Sequence, residues 1–159
     1  MLSRRLVLGV LFAVVVLICT VPRSVATGGL SHRQTVRVDF AGGVEIRNGR
    51  VVVDPRRDRL VRVGPRGRIC TLAVFPARLL GGPGGRPIVL RSAPSAVVRG
   101  PDGAFYVGER TSFPFPRGAA RVWRVVPGRA PTVYATGFTA IRGLSFGPGE
   151  RLFVLESVR

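Results

Sequence analysis

Apolar and polar positions alternate with a period of two along much of the chain, the signature of half-buried strands. Residues 35–40 alternate without a break and put Val36, Val38 and Phe40 on one face. Residues 44–46 and 50–53 flank Asn48 and Gly49, and Asn-Gly between two β-rich runs is the strongest short hairpin signal. The same reading predicts strands over 59–63, 69–72, 96–98, 104–107, 121–125, 132–134, 144–146 and 151–154. Beyond residue 26 no segment keeps an apolar period of 3.6 over three turns, so the chain is expected to be all-β.

The strands repeat. Three stretches around Gly49, Gly103 and Gly149 each read strand, glycine turn, strand, and these glycines are spaced by 54 and 46 residues. That is close to the period of roughly 40 to 50 expected for propeller blades. The prediction is a partial β-propeller of about two and a half to three four-stranded blades, over residues 43–75, 95–135 and 142–159. Between the first two lies a Gly/Pro-rich insertion, 76–94, read as an exposed loop. Its glycines could suggest a phosphate cradle, but no helix pattern and no Lys follows them. Closed propellers need about four to eight blades, so edges are left over. The strand at 35–40, within a 27–42 lead, is a candidate to close the last blade.

The first 26 residues change the picture of where the chain works. Arg4 and Arg5 precede an apolar run over 6–21, and Ser24, Val25 and Ala26 form a small-residue cleavage site, so a signal helix cut after Ala26 is predicted. The competing reading is a membrane anchor, but a run of 16 residues falls short of the roughly 20 that span a bilayer. The membrane enters only if this segment stays uncleaved. Arg4-Arg5 also fits a twin-arginine signal, while the very apolar core favours ordinary Sec export; Ile18 before Cys19 argues against lipidation. The expected location is extracytoplasmic. Loss of residues 1–26 leaves Cys70 alone, expected to be a small buried hydrophobe without a disulfide.

Charge excludes more than it assigns. All 25 basic residues are Arg, so Schiff-base and Walker-type lysine chemistry are excluded. Past residue 26 there are 22 Arg against 8 acidic residues, a net charge of +14. These arginines are spread along the chain with no recognition helix or RNA-binding signature, so nucleic acid is not expected and an anionic envelope polymer is the better electrostatic partner. One histidine, His32, cannot supply a triad within a folded core or a zinc site.

Two sets of residues remain as site candidates. Asp54, Glu109 and Glu156 each end the second strand of a repeat and could converge on one axis to hold a hard cation such as calcium. The competing reading pairs each with a neighbouring arginine, such as Arg56, Arg110 or Arg159. Phe113 and Phe115, in a Phe-Pro-Phe-Pro loop, are either a recognition surface or a wedge between blades.

Residues 98–109, ending in Gly108-Glu109, followed by Phe113-Pro114-Phe115-Pro116 and Ala120-Arg121-Val122, resemble the ScyD/ScyE family. The match is clear over 93–156 and weaker back to about residue 43. The family takes its name from accessory proteins of scytonemin biosynthesis, and the resemblance implies an exported propeller of about six blades. This chain departs from it in lacking roughly the first half of the ring and in carrying Arg110, Arg142 and Arg151. No catalytic residue carries over. The functional expectation is an exported, non-enzymatic binding or scaffold module that pairs with itself to complete a ring. The alternatives are a propeller hydrolase or lactonase using channel carboxylates and a metal, or a truncated, non-functional relative.

Overall fold

β-branched runs such as Val51-Val52-Val53 favour extended backbone, and Gly-Pro pairs interrupt them at residues 64, 82, 100 and 147. In the computed structural model, which describes residues 43–47 and 49–157, this punctuation yields twelve strands. The signal segment, His32, the strand at 35–40, Asn48 and Arg159 lie outside the described residues. Among the described residues no helix is long and apolar enough to cross a membrane.

The strands are β1 (Gly43–Ile46), β2 (Gly49–Asp54), β3 (Arg59–Val63), β4 (Ile69–Val74), β5 (Arg78–Gly81), β6 (Pro87–Leu90), β7 (Pro94–Arg99), β8 (Phe105–Glu109), β9 (Ala120–Val125), β10 (Thr132–Phe138), β11 (Ile141–Phe146) and β12 (Leu152–Glu156). They form four antiparallel sheets, none closed: the meanders β1-β2-β3-β4 and β7-β8-β9-β10, and the hairpins β5-β6 and β11-β12. The described residues are therefore all-β.

The 76–94 stretch departs from expectation, since it is not a loop. Leu79 pairs with Val89 and Leu80 with Ile88, so its apolar residues form β5 and β6 while glycine and proline are confined to the turn at Pro83–Gly85. That turn belongs to a set of four. Gly64, Gly82, Gly100 and Gly147 each precede a proline, and each donates its N–H to the carbonyl four residues on, at 2.7, 2.9, 2.8 and 3.0 Å. The third residue after each of these glycines is left-handed: Gly67, Gly85, Gly103 and, alone without glycine, Glu150 at φ 57°. Gly100 has a second constraint, because a Cβ there would lie 2.4 Å from Cε2 of Tyr106.

The β7–β10 sheet is covered on both faces. Val97, Phe105, Val107, Trp123 and Val125 face the first meander and pack on Val51, Val53, Leu60, Ala73 and Phe75. The alternate residues Ala104, Tyr106, Ala120 and Val122 pack on Ile141, with Leu144, Phe146, Leu152 and Val154 from the β11-β12 hairpin. Trp123 meets Phe75 at 5.5 Å, and Tyr106 presents its edge contact to Phe146 at 5.0 Å. β7 lies against β1 and β2 and also against β11, so the first strands of successive sheets stand side by side. Each fully buried Val or Leu contributes about 1.5–3 kcal/mol, so apolar contact between faces holds the sheets together. Cys70 does not fit the expectation of a buried hydrophobe: it is half-buried on the outer strand β4.

Two carboxylates brace the turns and set an acid limit. Asp102 Oδ2 accepts from Arg124 at 2.9 and 2.7 Å and from the Tyr106 hydroxyl at 3.1 Å, and Arg124 chiefly holds this carboxyl below its ordinary 3.8. At Asp54 burial pushes upward, but the hydrogen bond and charge of Arg59, with Arg57 beside it, outweigh it and the carboxyl again lies below 3.8. Both folded values are depressed, so their stabilisation is complete above the unfolded value of about 3.9 and is lost as pH falls through the folded one. Thermal melts should show little change between about pH 7 and 5 and a falling Tm below about pH 4. Asp102→Asn should flatten part of that fall; an unchanged acid limb would remove this account.

Candidate functional site

The end of the sheets where β2, β8 and β12 finish is built around Glu109, a carboxylate with no solvent exposure. Strand periodicity puts its side chain inside the core, where an ionised carboxylate persists only with partners. Its Oε1 accepts from Arg78 Nη1 at 2.9 Å, and its Oε2 accepts from Trp123 Nε1 at 2.9 Å and from the Ser92 hydroxyl at 2.5 Å. Arg78 also donates to the Ala119 carbonyl, so β5 is pinned to both ends of the 110–119 loop.

The segment before β7 is fixed from two sides. Arg110, Thr111 and Ser112 donate their N–H groups to the carbonyls of Ala93, Ser92 and Arg91, at 3.1, 3.0 and 3.1 Å. Asp58 accepts from the Ala93 N–H at 2.9 Å and from Arg91 Nε at 2.7 Å. Three non-glycine residues here are left-handed: Ala93 at φ 47°, Thr111 at 64° and Phe115 at 55°. For a bulky residue that conformation is an outlier, and such strain persists only where surrounding bonds fix it. Phe115 N–H donates to Ser112 O at 2.9 Å.

A shift of 47 residues reproduces this arrangement in the next sheet, carrying Ser92, Gly100 and Glu109 onto Thr139, Gly147 and Glu156. Glu156 Oε2 accepts from the Thr139 N–H at 2.6 Å, and Ser157 N–H donates to Ala140 O at 3.0 Å as Arg110 does to Ala93. Each carboxylate thus latches the entry of its own first strand to the exit of its second. The expected convergence of Asp54, Glu109 and Glu156 is not what the geometry gives. Asp54 pairs with Arg59 and Arg57, Glu109 with Arg78, and Glu156 with backbone. Among the described residues no group of three or more His, Cys, Asp or Glu is placed to hold a metal ion. The arginines that pair are also different from the expected Arg56 and Arg110.

Phe113 and Phe115 do not wedge between sheets. Their side chains are 80% and 51% exposed, and the rings meet edge to face at 6.2 Å. Phe115 forms one wall of a cleft of about 210 Å³ between the 110–119 loop and the start of β11, lined also by Arg110, Arg117, Thr139, Arg142 and Ser157. Arg142 Nε donates to the Ser157 hydroxyl at 3.1 Å, and Thr139 Oγ1 accepts from the Gly118 N–H at 3.3 Å. At the opposite end of the sheets a shallower groove of about 610 Å³ runs between the Gly100 and Gly147 turns.

The sequence pattern points to Phe115 and Glu109 but not to Arg78, Ser92, Arg117 or Arg142. The 47-residue spacing of Glu109 and Glu156, each 17 positions after the residue that donates to it, is the signal that would have found the latch; the donor is the Ser92 hydroxyl in one case and the Thr139 backbone N–H in the other. No family model matches the chain, and no curated protein matches it.

Proposed function

We propose that the chain is an exported, non-enzymatic binding or scaffold module made of about two and a half to three propeller-type blades. The observation that carries this reading is the latch repeated at a 47-residue shift, together with the face-to-face order of the sheets it closes. A repeated supersecondary unit stacked on its neighbours is how propellers bury sheet faces. The resemblance to the ScyD/ScyE family supports the same architecture and export, and the very apolar core of residues 6–21 favours the Sec route. The hydrolase or lactonase alternative needs carboxylates that share one cation or one water, and here each keeps separate partners.

The occupants of such a module follow from its surface chemistry: an anionic envelope polymer for the arginines, and a second copy of the chain for the apolar faces. Phe153 and Leu155 on β12 are 56% and 66% exposed, and Val133 and Tyr134 on the edge strand β10 are exposed as well. Faces of that kind seek cover. Light scattering on the purified exported chain tests this: a compact dimer supports a shared ring of sheets. A well-folded monomer at about 100 µM would remove self-association, and an unfolded, aggregating chain would favour the truncated-relative reading.

A further inference from the structure

We propose that the end of the sheets opposite the Glu109 latch binds an anionic polysaccharide, laid across arginines from three successive sheets. This rests on the binding-module reading and gives it a surface and a ligand class. In the first meander the β1–β2 and β3–β4 turns share one end, opposite the β2–β3 turn; in the second the β7–β8 and β9–β10 turns share an end, opposite the 110–119 loop. Asp58, in the β2–β3 turn, accepts from the Ala93 N–H just before β7, and the Ser95 hydroxyl donates to the Ile141 carbonyl at the start of β11. The sheets are thus aligned end to end, and Arg66, Arg68, Arg99, Arg129 and Arg151 come out together. All five are exposed, and among the described residues none of their guanidinium groups has an ion pair or hydrogen bond. The acids are distributed the other way. Asp54, Asp58, Glu109 and Glu156 lie at the latch end, each already bonded, and Asp102 is taken up by Arg124 and Tyr106.

Each turn that carries these charges is closed by backbone: Gly64 donates to Arg68 at 2.7 Å, Gly100 to Ala104 at 2.8 Å, Arg129 to Val126 at 3.0 Å and Gly147 to Arg151 at 3.0 Å. The guanidiniums therefore start from fixed points, and a ligand has only side chains to order. Guanidinium forks donate in pairs to carboxylate oxygens. Charges set on separate turns suit a chain of repeated anions better than one small anion, because each contact raises the local concentration of the next. The groove of about 610 Å³ between the Gly100 and Gly147 turns, walled by Pro101 and Phe146, adds apolar surface for the faces of sugar rings. Arg99 lines it, with Glu150 as an opposing charge. A bilayer is a poorer match, since the exposed rings of Phe113 and Phe115 sit in the 110–119 loop at the opposite end and could not enter it alongside these arginines.

The experiment is calorimetric titration of the full chain with polygalacturonate, neutral dextran, phosphatidylglycerol vesicles and a DNA duplex. Polygalacturonate is expected to bind and dextran is not, with affinity falling as salt is raised from about 0.1 to 0.5 M. Arg99→Gln combined with Arg151→Gln should weaken polygalacturonate binding about five-fold or more. The charge-matched pair Arg57→Gln with Arg142→Gln, at the latch end, should change it by less than about two-fold. Glu150→Gln, which removes the opposing charge from the groove, should strengthen it. Circular dichroism melts check that each variant is folded. Equal losses in the two arginine pairs, or equal binding of dextran, overturn the placement of the site. Tighter binding of the vesicles or the duplex than of polygalacturonate overturns the polysaccharide as occupant. Absence of polygalacturonate binding in a chain that still forms the compact dimer overturns the proposal and leaves the scaffold reading standing, whereas an unfolded chain removes the module reading itself.

Discussion

Replacing Arg78 by alanine is expected to cost about 3–5 kcal/mol of stability, a fall in Tm of roughly 10–20 °C for a domain of this size. Arg78 is the only cation within salt-bridge distance of Glu109 among the described pairs, and the two side chains are 15% and 0% exposed. Without it the Glu109 carboxyl stays in the core with only the neutral Ser92 and Trp123 donors. Arg78→Lys should recover only part of the loss, because one ammonium does not reproduce the fork that reaches both Glu109 and Ala119. Glu109→Gln should be milder than Arg78→Ala, since an amide oxygen still accepts from Trp123. Circular dichroism melts measure all three. A loss below about 1 kcal/mol for Arg78→Ala would mean that the β5-β6 hairpin is not anchored through this pair.

How much of this was legible in the sequence depends on the range of the forces involved. Period-two alternation is a local consequence of strand geometry, and so the predicted 59–63 coincides with β3 and the predicted 121–125 with most of β9. The same logic failed over 76–94, where glycine and proline density outweighed Leu79, Leu80, Ile88 and Val89, although those glycines only close the turn. Glu109 stood out by its position, but its partners Arg78 and Trp123 are 31 and 14 residues away and nothing local announces them. Repeat logic correctly placed Asp54, Glu109 and Glu156 at matching strand ends. It did not determine where the side chains point, which is set by the burial of each sheet: the latch to the first strand captures Glu109 and Glu156 before any common axis can. The arginine cleft was illegible for a related reason, since Arg110, Arg117 and Arg142 follow no period and meet only when β11 packs on the β7–β10 sheet.

That packing is the subject of the second large effect, Gly108→Val. A Cβ at position 108 would sit 2.5 Å from Ile141 Cγ2 and 3.1 Å from Ile141 Cβ, too close for either strand to absorb by a rotamer change alone. Ile141 is fully buried, and the Ser95 hydroxyl lies 2.7 Å from the Ile141 carbonyl and 3.2 Å from that of Gly108, so the contact is fastened by backbone as well as by shape. Overpacking of this kind costs about 1–3 kcal/mol, and Ile141→Ala alone should cost about 2–5 kcal/mol through the cavity it leaves. The two changes remove and fill the same space. Gly108→Val with Ile141→Ala should therefore lose less than the sum of the single losses, by roughly 0.5–3 kcal/mol in a double-mutant cycle. Additive losses would show that β11 is not seated on Gly108. The same variants reach the cleft, because Arg142 directly follows Ile141 and Thr139 and Ser157 flank the hairpin.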